Sequence, residues 1–198
     1  MKDPPPRKYE LKRRAEQQLQ TRRRIVEAAV ELHSTVGPAR TTISAIAERA
    51  GVRRPTVYSH FPDERALLTA CSGHVYATSP PPDPTAWADL PELGARVRAA
   101  LEALYPYFRS QEALLLNITR DLETMPLLRE IAAGRFRYLR ELREAVAAGS
   151  RARGARRERL LAAIALALDF RTWHRLVRGE ELPERDAIEL MVKLVTAV

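Results

Sequence analysis

Cysteine is almost missing from this sequence of 198 residues, which has only Cys71. A single cysteine excludes an internal disulfide and any cysteine-based metal cluster, so we expect Cys71 to pack between helices. The longest aliphatic run, residues 160–168, is far shorter than the roughly 20 residues that a membrane-spanning helix needs. The N-terminal segment MKDPPPRKYE has charges and prolines where a secretory signal would have an apolar stretch. We therefore expect a cytoplasmic protein with no membrane partner.

Motifs for catalysis are missing as well. The sequence has no Gly-rich phosphate loop, no zinc-type histidine spacing and no nucleophile elbow. The four histidines, at positions 33, 60, 74 and 174, are not grouped as metal ligands would be. The sequence therefore predicts a protein that is not an enzyme and that has no metal site and no cofactor.

Positive charge is concentrated at one end of the chain. The formal net charge is +8, and residues 1–24 contain nine Lys or Arg against three Asp or Glu. A basic arm of this kind attracts the phosphates of DNA through counterion release, and a solvated tail has the same composition. The charge pattern alone leaves both interpretations open.

The hydrophobic pattern predicts an all-α protein. Apolar residues recur at spacings of three and four almost throughout, and no alternating pattern is long enough for a strand. Proline clusters at residues 4–6 and 79–84 divide the chain, because proline lacks an amide donor and ends helices. The predicted segments are a basic flexible arm (1–18), a first helical domain with a connector helix (19–78), a proline-rich linker (79–88) and a C-terminal helical domain (89–198).

Four helices are predicted in the N-terminal domain. Thr42 and Asp63 have the side-chain oxygens that cap helix N-termini. Pro55 suits a first helical turn, where its missing N–H costs nothing. Gly37 and Gly51 are placed to end helices. The expected helices are residues 17–36, 42–50 and 55–60, and a fourth that begins after Asp63.

A helix-turn-helix is indicated by two short helices joined through Ala50-Gly51-Val52, since the second helix of such a pair fits the DNA major groove. The segment TTISAIAERAGVRRPTVYSHFPDERALL, Thr41 to Leu68, closely resembles the DNA-binding domain of the tetracycline-repressor (TetR) family. The resemblance extends over residues 20–75. It implies an all-α fold in which an N-terminal three-helix helix-turn-helix domain is followed by a helical ligand-binding and dimerisation domain.

The resemblance and the side-chain chemistry together predict the DNA contacts. Tyr58 and His60 can donate to phosphate, and Arg53 and Arg54 can bridge guanine N7 and O6. The alternatives are a packed ring at Tyr58, a solvated side chain at Arg54 and a helix-capping role for His60. The predicted DNA-binding residues are Thr42, Arg53, Arg54, Thr56, Tyr58, Ser59 and His60.

Three positions depart from the family pattern. Arg53 stands where the family often has a serine that caps the recognition helix. Glu64-Arg65 replaces the commoner Lys-Glu order, which removes a lysine that usually reaches a phosphate, and Arg65 is a substitute from another direction. His33 stands where the first helix normally buries an aromatic ring, so the residue predicts either a looser core or a hydrogen bond.

The C-terminal domain is predicted to contain five helices, at roughly 89–108, 110–121, 125–148, 155–178 and 184–197. By the resemblance, the last two pair with those of a second subunit, whereas the alternative is packing within one subunit. The predicted dimer-interface residues are Leu160, Ile164, Leu168, Leu190 and Leu194. A ligand cavity would be mostly apolar with a few polar groups. Its predicted lining residues, each of which also suits a core, are Tyr105, Phe108, Asn117, Phe136, Phe170 and Trp173.

The predicted function is transcription regulation by a homodimer that binds a double-stranded DNA operator, which two-fold symmetry makes palindromic. The resemblance implies a repressor that is released when a small-molecule effector binds. A ligand-independent dimeric DNA-binding protein is the first alternative, and an enzyme is the second. A connected apolar cavity in the C-terminal domain would favour sensing, and a tightly packed domain would favour the first alternative.

Overall fold

The computed structural model describes the chain from Arg7 to Val198, with side chains from Leu11 onward, so the first six residues of the predicted arm lie outside the described part. Every regular element in that part is helical, as the apolar spacing predicts. The helices are α1 (Arg7–Thr35), α2 (Ile43–Ala50), α3 (Arg54–His60), α4 (Glu64–Thr78), α5 (Thr85–Ala88), α6 (Leu93–Ser110), α7 (Glu112–Asp121), α8 (Pro126–Ile131), α9 (Ala133–Ala147), α10 (Gly154–Ala167), α11 (Phe170–His174) and α12 (Glu184–Thr196). A 3-10 turn (Pro38–Arg40) follows α1, and a π-helical turn (Arg175–Gly179) follows α11.

Two compact units make up the chain. The head unit comprises the chain up to Ser79 together with Leu116–Ile131, and the body unit comprises Pro80–Leu115 with Ala132–Val198. The sequence predicts that residues 116–131 belong to the C-terminal domain, because they follow the proline-rich linker. The structure differs because polar side chains of this segment bind the end of α1.

The core of the head unit is small and apolar. Ile25 and Ala29 of α1 are fully buried against Ile46 of α2, Val57 of α3 and Phe61. Burying a side chain the size of isoleucine or phenylalanine stabilises the fold by about 1.5 to 3 kcal/mol. These contacts fix α2 and α3 on α1 and so set the direction in which α3 faces outward.

Three predicted helix ends of the head unit, at Thr42, Gly51 and Asp63, are confirmed. The Thr42 hydroxyl accepts from the backbone N–H of Ala45 at 3.1 Å, and the Asp63 carboxylate accepts from that of Ala66 at 2.7 Å. Each bond satisfies an amide that has no partner within its helix. Gly51 ends α2 in the left-handed region, with φ +63°.

The first helix begins earlier than the spacing of apolar residues predicts. It continues back to Arg7, so the described part of the predicted flexible arm, residues 7–18, is helical. The reason is composition: between Arg7 and Thr35 there is no Gly or Pro, and Lys, Arg, Glu, Gln, Leu and Ala all favour helices. Because the extension over residues 11–20 is exposed, the apolar pattern could not reveal it.

The chain after Ser79 has more helix breaks than the sequence predicts. The expected helix 125–148 is divided between α8 and α9, and the expected helix 155–178 is divided between α10, α11 and the π-helical turn. In contrast, α6 continues through Pro106 to Ser110. No helix in the described residues is long and apolar enough to cross a membrane.

The predicted interface leucines differ in exposure. Leu160, Ile164 and Leu168 are buried in the core of the body unit, which leaves them no surface to present to a second copy. Leu190 and Leu194 of α12 are exposed, and Leu166 of α10, which the sequence analysis did not select, is 57% exposed. The two helices that carry these exposed leucines, α10 and α12, pack on each other.

Candidate nucleic-acid interface

The third helix presents its polar side chains to solvent from a rigid base. Val57 is fully buried in the head-unit core, whereas Arg54 and Ser59 are exposed and Tyr58 is 48% exposed. A helix of seven residues anchored through one buried side chain has its remaining faces free for a groove. The Tyr58 ring is therefore not packed in the core, which excludes a purely structural role for this residue.

Arg53 and Arg54 form the basic start of this helix. Both side chains are exposed, and neither makes an ion pair with a residue that the structure describes. Arg53 occupies the cap position of α3 without a side-chain hydrogen bond to the helix, as its departure from the family pattern predicts. Both guanidinium groups are therefore available to an external anion.

The other predicted contact residues are partly engaged within the head unit. The Ser59 hydroxyl donates to the carbonyl of Thr56 at 2.8 Å, which reduces its value as a base contact. Thr56 and His60 are half-buried. Thr42 is exposed at the N-terminus of α2, where a helix offers its first amides to a phosphate.

Arg22 of α1 is a positioning residue that the sequence analysis assigned only to the basic arm. Its guanidinium donates to the carbonyl of His60 at 3.0 Å and lies 4.1 Å from the centre of the Phe61 ring. These contacts cap the C-terminus of α3 and join it to α1. In the sequence, Arg22 was indistinguishable from its neighbours Arg23 and Arg24.

Arg65, considered in place of the missing lysine, has another partner. Its guanidinium binds the Glu130 carboxylate of α8 at 2.7 Å, and both side chains are more than half exposed. An exposed pair of this kind is weak, about 0 to 1 kcal/mol, so a phosphate can compete for the arginine.

Three residues of α7 bind the end of α1 and the 3-10 turn. The Asn117 amide donates to the carbonyl of Ser34 at 2.8 Å, and Arg120 donates to that of Val36 at 2.9 Å. The buried Asp121 carboxylate accepts from the N–H of Ala39 at 2.9 Å and from Arg120 at 2.7 Å. We call Asn117, Arg120 and Asp121 the α7 clamp.

The ionisation of the clamp matches its geometry. Burial alone would raise the pKa of the Asp121 carboxyl, but the hydrogen bonds from Arg120 and from the Ala39 N–H outweigh it and hold the pKa below its usual range. Nearby His33 is buried, and burial lowers its pKa to about 4, although the Asp121 carboxylate opposes the shift. His33 is therefore a neutral imidazole at neutral pH.

The predicted ligand-binding residues are only partly brought together. Tyr105, Phe108, Phe170 and Trp173 are buried in the body unit and form one group of rings. Asn117 belongs instead to the head unit, where the clamp uses its amide, and Phe136 is 38% exposed on α9. The two residues depart from the group because the later part of α7 packs within the head unit and α9 presents Phe136 outward.

The head unit matches a known family. Residues 25–71 fit the model described as "Bacterial regulatory proteins, tetR family". The HTH-type transcriptional regulator TtgR of Pseudomonas putida is 38% identical over 68 residues, which are 34% of this chain and 32% of TtgR. An uncharacterised HTH-type transcriptional regulator of Mycobacterium bovis is 42% identical over 55 residues, 27% of this chain and 29% of that protein. The matched part of the chain thus spans about a third of the length of these relatives.

Solved structures match over most of the chain. A TetR-like transcriptional regulator from Rhodococcus sp. RHA1 has a TM-score of 0.63 at 18% identity, covering 89% of this chain and 93% of that one. NalD of Pseudomonas aeruginosa, the secondary repressor of the MexAB-OprM multidrug efflux pump, has a TM-score of 0.62 at 21% identity, covering 92% and 96%. At these identities the likeness establishes the fold alone.

Proposed function

We propose that this chain is a regulator of the TetR family that controls transcription by binding operator DNA through its N-terminal helix-turn-helix. The observation that carries the proposal is the recognition helix α3, on which buried Val57 holds Arg53, Arg54 and Tyr58 outward and without ion pairs among the described residues. Arg54 reads guanine in the major groove, and Tyr58 donates to a phosphate. The cytoplasm, where the DNA is accessible, is the expected location.

The regulator acts as a homodimer on a palindromic operator. Exposed Leu166 belongs to α10, exposed Leu190 and Leu194 belong to α12, and these two helices pack on each other. Exposed apolar side chains of this kind support a second copy of the chain as their partner. A two-fold dimer presents two α3 helices to successive major grooves, so the two half-sites are inverted copies.

Repression that is relieved by a small-molecule effector is the output we propose. A dimer seated on a promoter blocks polymerase, and effector and DNA weaken each other's binding by the same factor when they favour different conformations.

The recognition helix is tested by two substitutions with different expected signatures. On an operator selected from genomic fragments, Arg54→Ala should lower affinity by about 1 to 3 kcal/mol and relax base preference at one position in each half-site. Tyr58→Phe should lower affinity for all sequences by about 1 kcal/mol, because it removes one phosphate bond. Fluorescence anisotropy with operator and scrambled duplexes measures both effects.

A matched control separates base recognition from electrostatic attraction to the DNA phosphates. Neutralising three exposed arm residues together (Lys12→Gln, Arg13→Gln, Arg14→Gln) should reduce the salt dependence of binding while base preference stays unchanged. If Arg54→Ala and Tyr58→Phe both bind the operator as the unchanged chain does, α3 is not the recognition helix.

The dimer face is tested by introducing charge. Leu166→Glu with Leu194→Glu should convert the dimer to monomer and abolish operator binding at concentrations that saturate the unchanged protein, because burying both glutamates of each copy in one interface is prohibitive. Leu90→Glu, at another exposed leucine of the body unit, should stay dimeric. Analytical ultracentrifugation measures the oligomeric state. If the double variant is still a dimer, the interface is formed by other residues.

A ligand-independent DNA-binding protein is the second candidate. It is favoured by the close packing of the body-unit rings, whose centres lie 5.6 to 6.2 Å apart in contacting pairs. An open groove of about 260 Å³ on the body unit does not resemble the predicted apolar cavity, since charged side chains dominate its walls. A ligand that binds the body unit and lowers operator affinity distinguishes the two candidates in favour of sensing.

A further inference from the structure

An ion pair joins the first turn of α4 to α8 within the head unit. The Arg65 guanidinium donates to the Glu130 carboxylate at 2.7 Å, and 65 positions of sequence separate the two residues. Their side chains are 58% and 59% exposed. A pair exposed to this degree is weak, because water screens the attraction and two long side chains lose freedom. Arg65 can therefore exchange Glu130 for another anion at little cost.

The first turn of α4 follows the recognition helix closely. Three residues, 61–63, separate α3 from α4, so the end of one helix and the start of the other are at most about 14 Å apart. This corner is fixed, because Phe61 is buried and the Asp63 carboxylate caps α4. Phosphates line both edges of the major groove, which is about 12 Å wide. With α3 in the groove, a phosphate at its edge lies within reach of the Arg65 side chain.

Glu130 is held beside Arg65 before any DNA binds. Its helix, α8, packs on α4 and is anchored by the buried side chain of Leu128. The Arg129 guanidinium donates to the carbonyl of Leu122 at 2.7 Å, which ties α8 to the turn after α7. A carboxylate fixed on the same molecule competes at a high effective concentration. Glu130 therefore competes with any anion that approaches Arg65.

A phosphate and the Glu130 carboxylate compete for one positive charge. A guanidinium has five N–H donors, so it can contact two anions at once. Two anions on one guanidinium are held close together, however, and their repulsion disfavours that arrangement. Binding of a phosphate therefore favours the conformation in which Arg65 leaves Glu130.

We propose that Arg65 contacts a DNA phosphate in the bound state and that Glu130 is its intramolecular competitor. Glu130 lowers the affinity of the head unit for DNA, because the arginine must leave the carboxylate or bring it next to a phosphate. The inference rests on the DNA-binding function proposed above and adds a residue that limits it. Since phosphates carry no sequence information, Glu130 has the same effect on operator and scrambled duplexes.

A double-mutant cycle tests the competition. Fluorescence anisotropy with the full chain compares Glu130→Gln, Arg65→Gln and the double variant on operator and scrambled duplexes. Glu130→Gln should bind both duplexes about two- to fivefold more tightly, which is the range that an exposed ion pair allows. In the Arg65→Gln background the same change should give a much smaller gain. Unchanged or lower affinity in Glu130→Gln, or a gain of equal size in both backgrounds, would overturn the proposal.

Glu64→Gln is the matched control for charge. Glu64 is exposed in the same turn of α4 and makes no ion pair with a residue that the structure describes. Its side chain does not face that of Arg65, because consecutive residues point in different directions on a helix. The effect of Glu64→Gln on DNA affinity should be the same in the unchanged chain and in Arg65→Gln. A dependence on Arg65 as strong as that of Glu130→Gln would contradict a specific role for Glu130.

Salt dependence provides a readout that a purely structural ion pair would not change. In the Glu130→Gln background, Arg65→Gln should reduce the slope of log K against log salt concentration by about 0.9 for each chain bound, the value of one phosphate contact. An unchanged slope would show that Arg65 reaches no phosphate, and the proposal would fail even if both variants fold normally.

The two duplexes separate this inference from the proposed function. Operator binding with independent effects of Arg65 and Glu130 would remove the competition and leave the regulatory role in place. Coupled effects on both duplexes, in a chain that does not distinguish operator from scrambled DNA, would support the competition and contradict the regulatory role. A chain that binds neither duplex would overturn both.

Discussion

Replacing Gly37 with alanine should destabilise the head unit by about 3 kcal/mol and lower its Tm by about 15 °C. Gly37 has φ +93° and ψ 157°, a region that is essentially restricted to glycine. A Cβ at this position would overlap Arg120 Nη2 and would lie 2.6 Å from Asp121 Oδ2. Both the backbone conformation and the α7 clamp therefore require a residue without a side chain at position 37.

Gly51→Ala is the matched control for this prediction. Gly51 also has a positive φ, +63°, but it lies in the left-handed helical region, and no atom is within 4 Å of the Cβ that alanine would add. The expected loss is about 1 kcal/mol. Because both tryptophans belong to the body unit, differential scanning calorimetry with hydrogen exchange of residues 25–71 is the measurement to use. Equal losses of stability at Gly37 and Gly51 would mean that Arg120 and Asp121 move away from an added Cβ at no cost in free energy.

The sequence was a sufficient guide to the helix ends of the head unit because the signals there are local. Thr42, Gly51 and Asp63 act within a few residues of their own position, and each acts as predicted. The bounds of α3 follow from the same short segment. The role of Arg22 could not be predicted, because it depends on the carbonyl of His60, 38 positions away. The spacing of residues in the sequence carries no information about such a contact.

The body unit was less predictable because its outward faces depend on tertiary packing. Apolar spacing indicated helices, but an apolar residue that faces its own core and one that faces a second copy have the same signature in a sequence. Ile164 lies in the core, and Leu166, two residues later on the same helix, faces outward. The segment 116–131 packs differently from the expectation because Asn117 and Asp121 bind the end of α1 and the 3-10 turn, distant contacts that spacing does not reveal.

His33 should make the head unit sensitive to acid. Its pKa is about 4 in the folded chain, where burial disfavours the imidazolium, against 6.5 for an ordinary histidine. Since the folded pKa is the lower one, stability is complete above pH 6.5 and is lost as the pH falls toward 4, where the unfolded chain binds a proton that the folded chain does not. The loss is about 3 kcal/mol over this range. The lowered pKa of Asp121 adds a further loss only at lower pH, where carboxylates titrate.

Substitution of His33 tests whether a neutral imidazole replaces the family's aromatic ring. His33→Phe should keep the head unit folded and remove the loss of stability between pH 6.5 and 4, as measured by urea unfolding at a series of pH values. His33→Gln separates protonation from packing: it should lower stability at neutral pH through poorer packing, yet it should flatten the acid dependence equally, because neither side chain titrates. If the slope persists in both variants, the acid sensitivity belongs to other groups, and the burial of His33 serves packing alone.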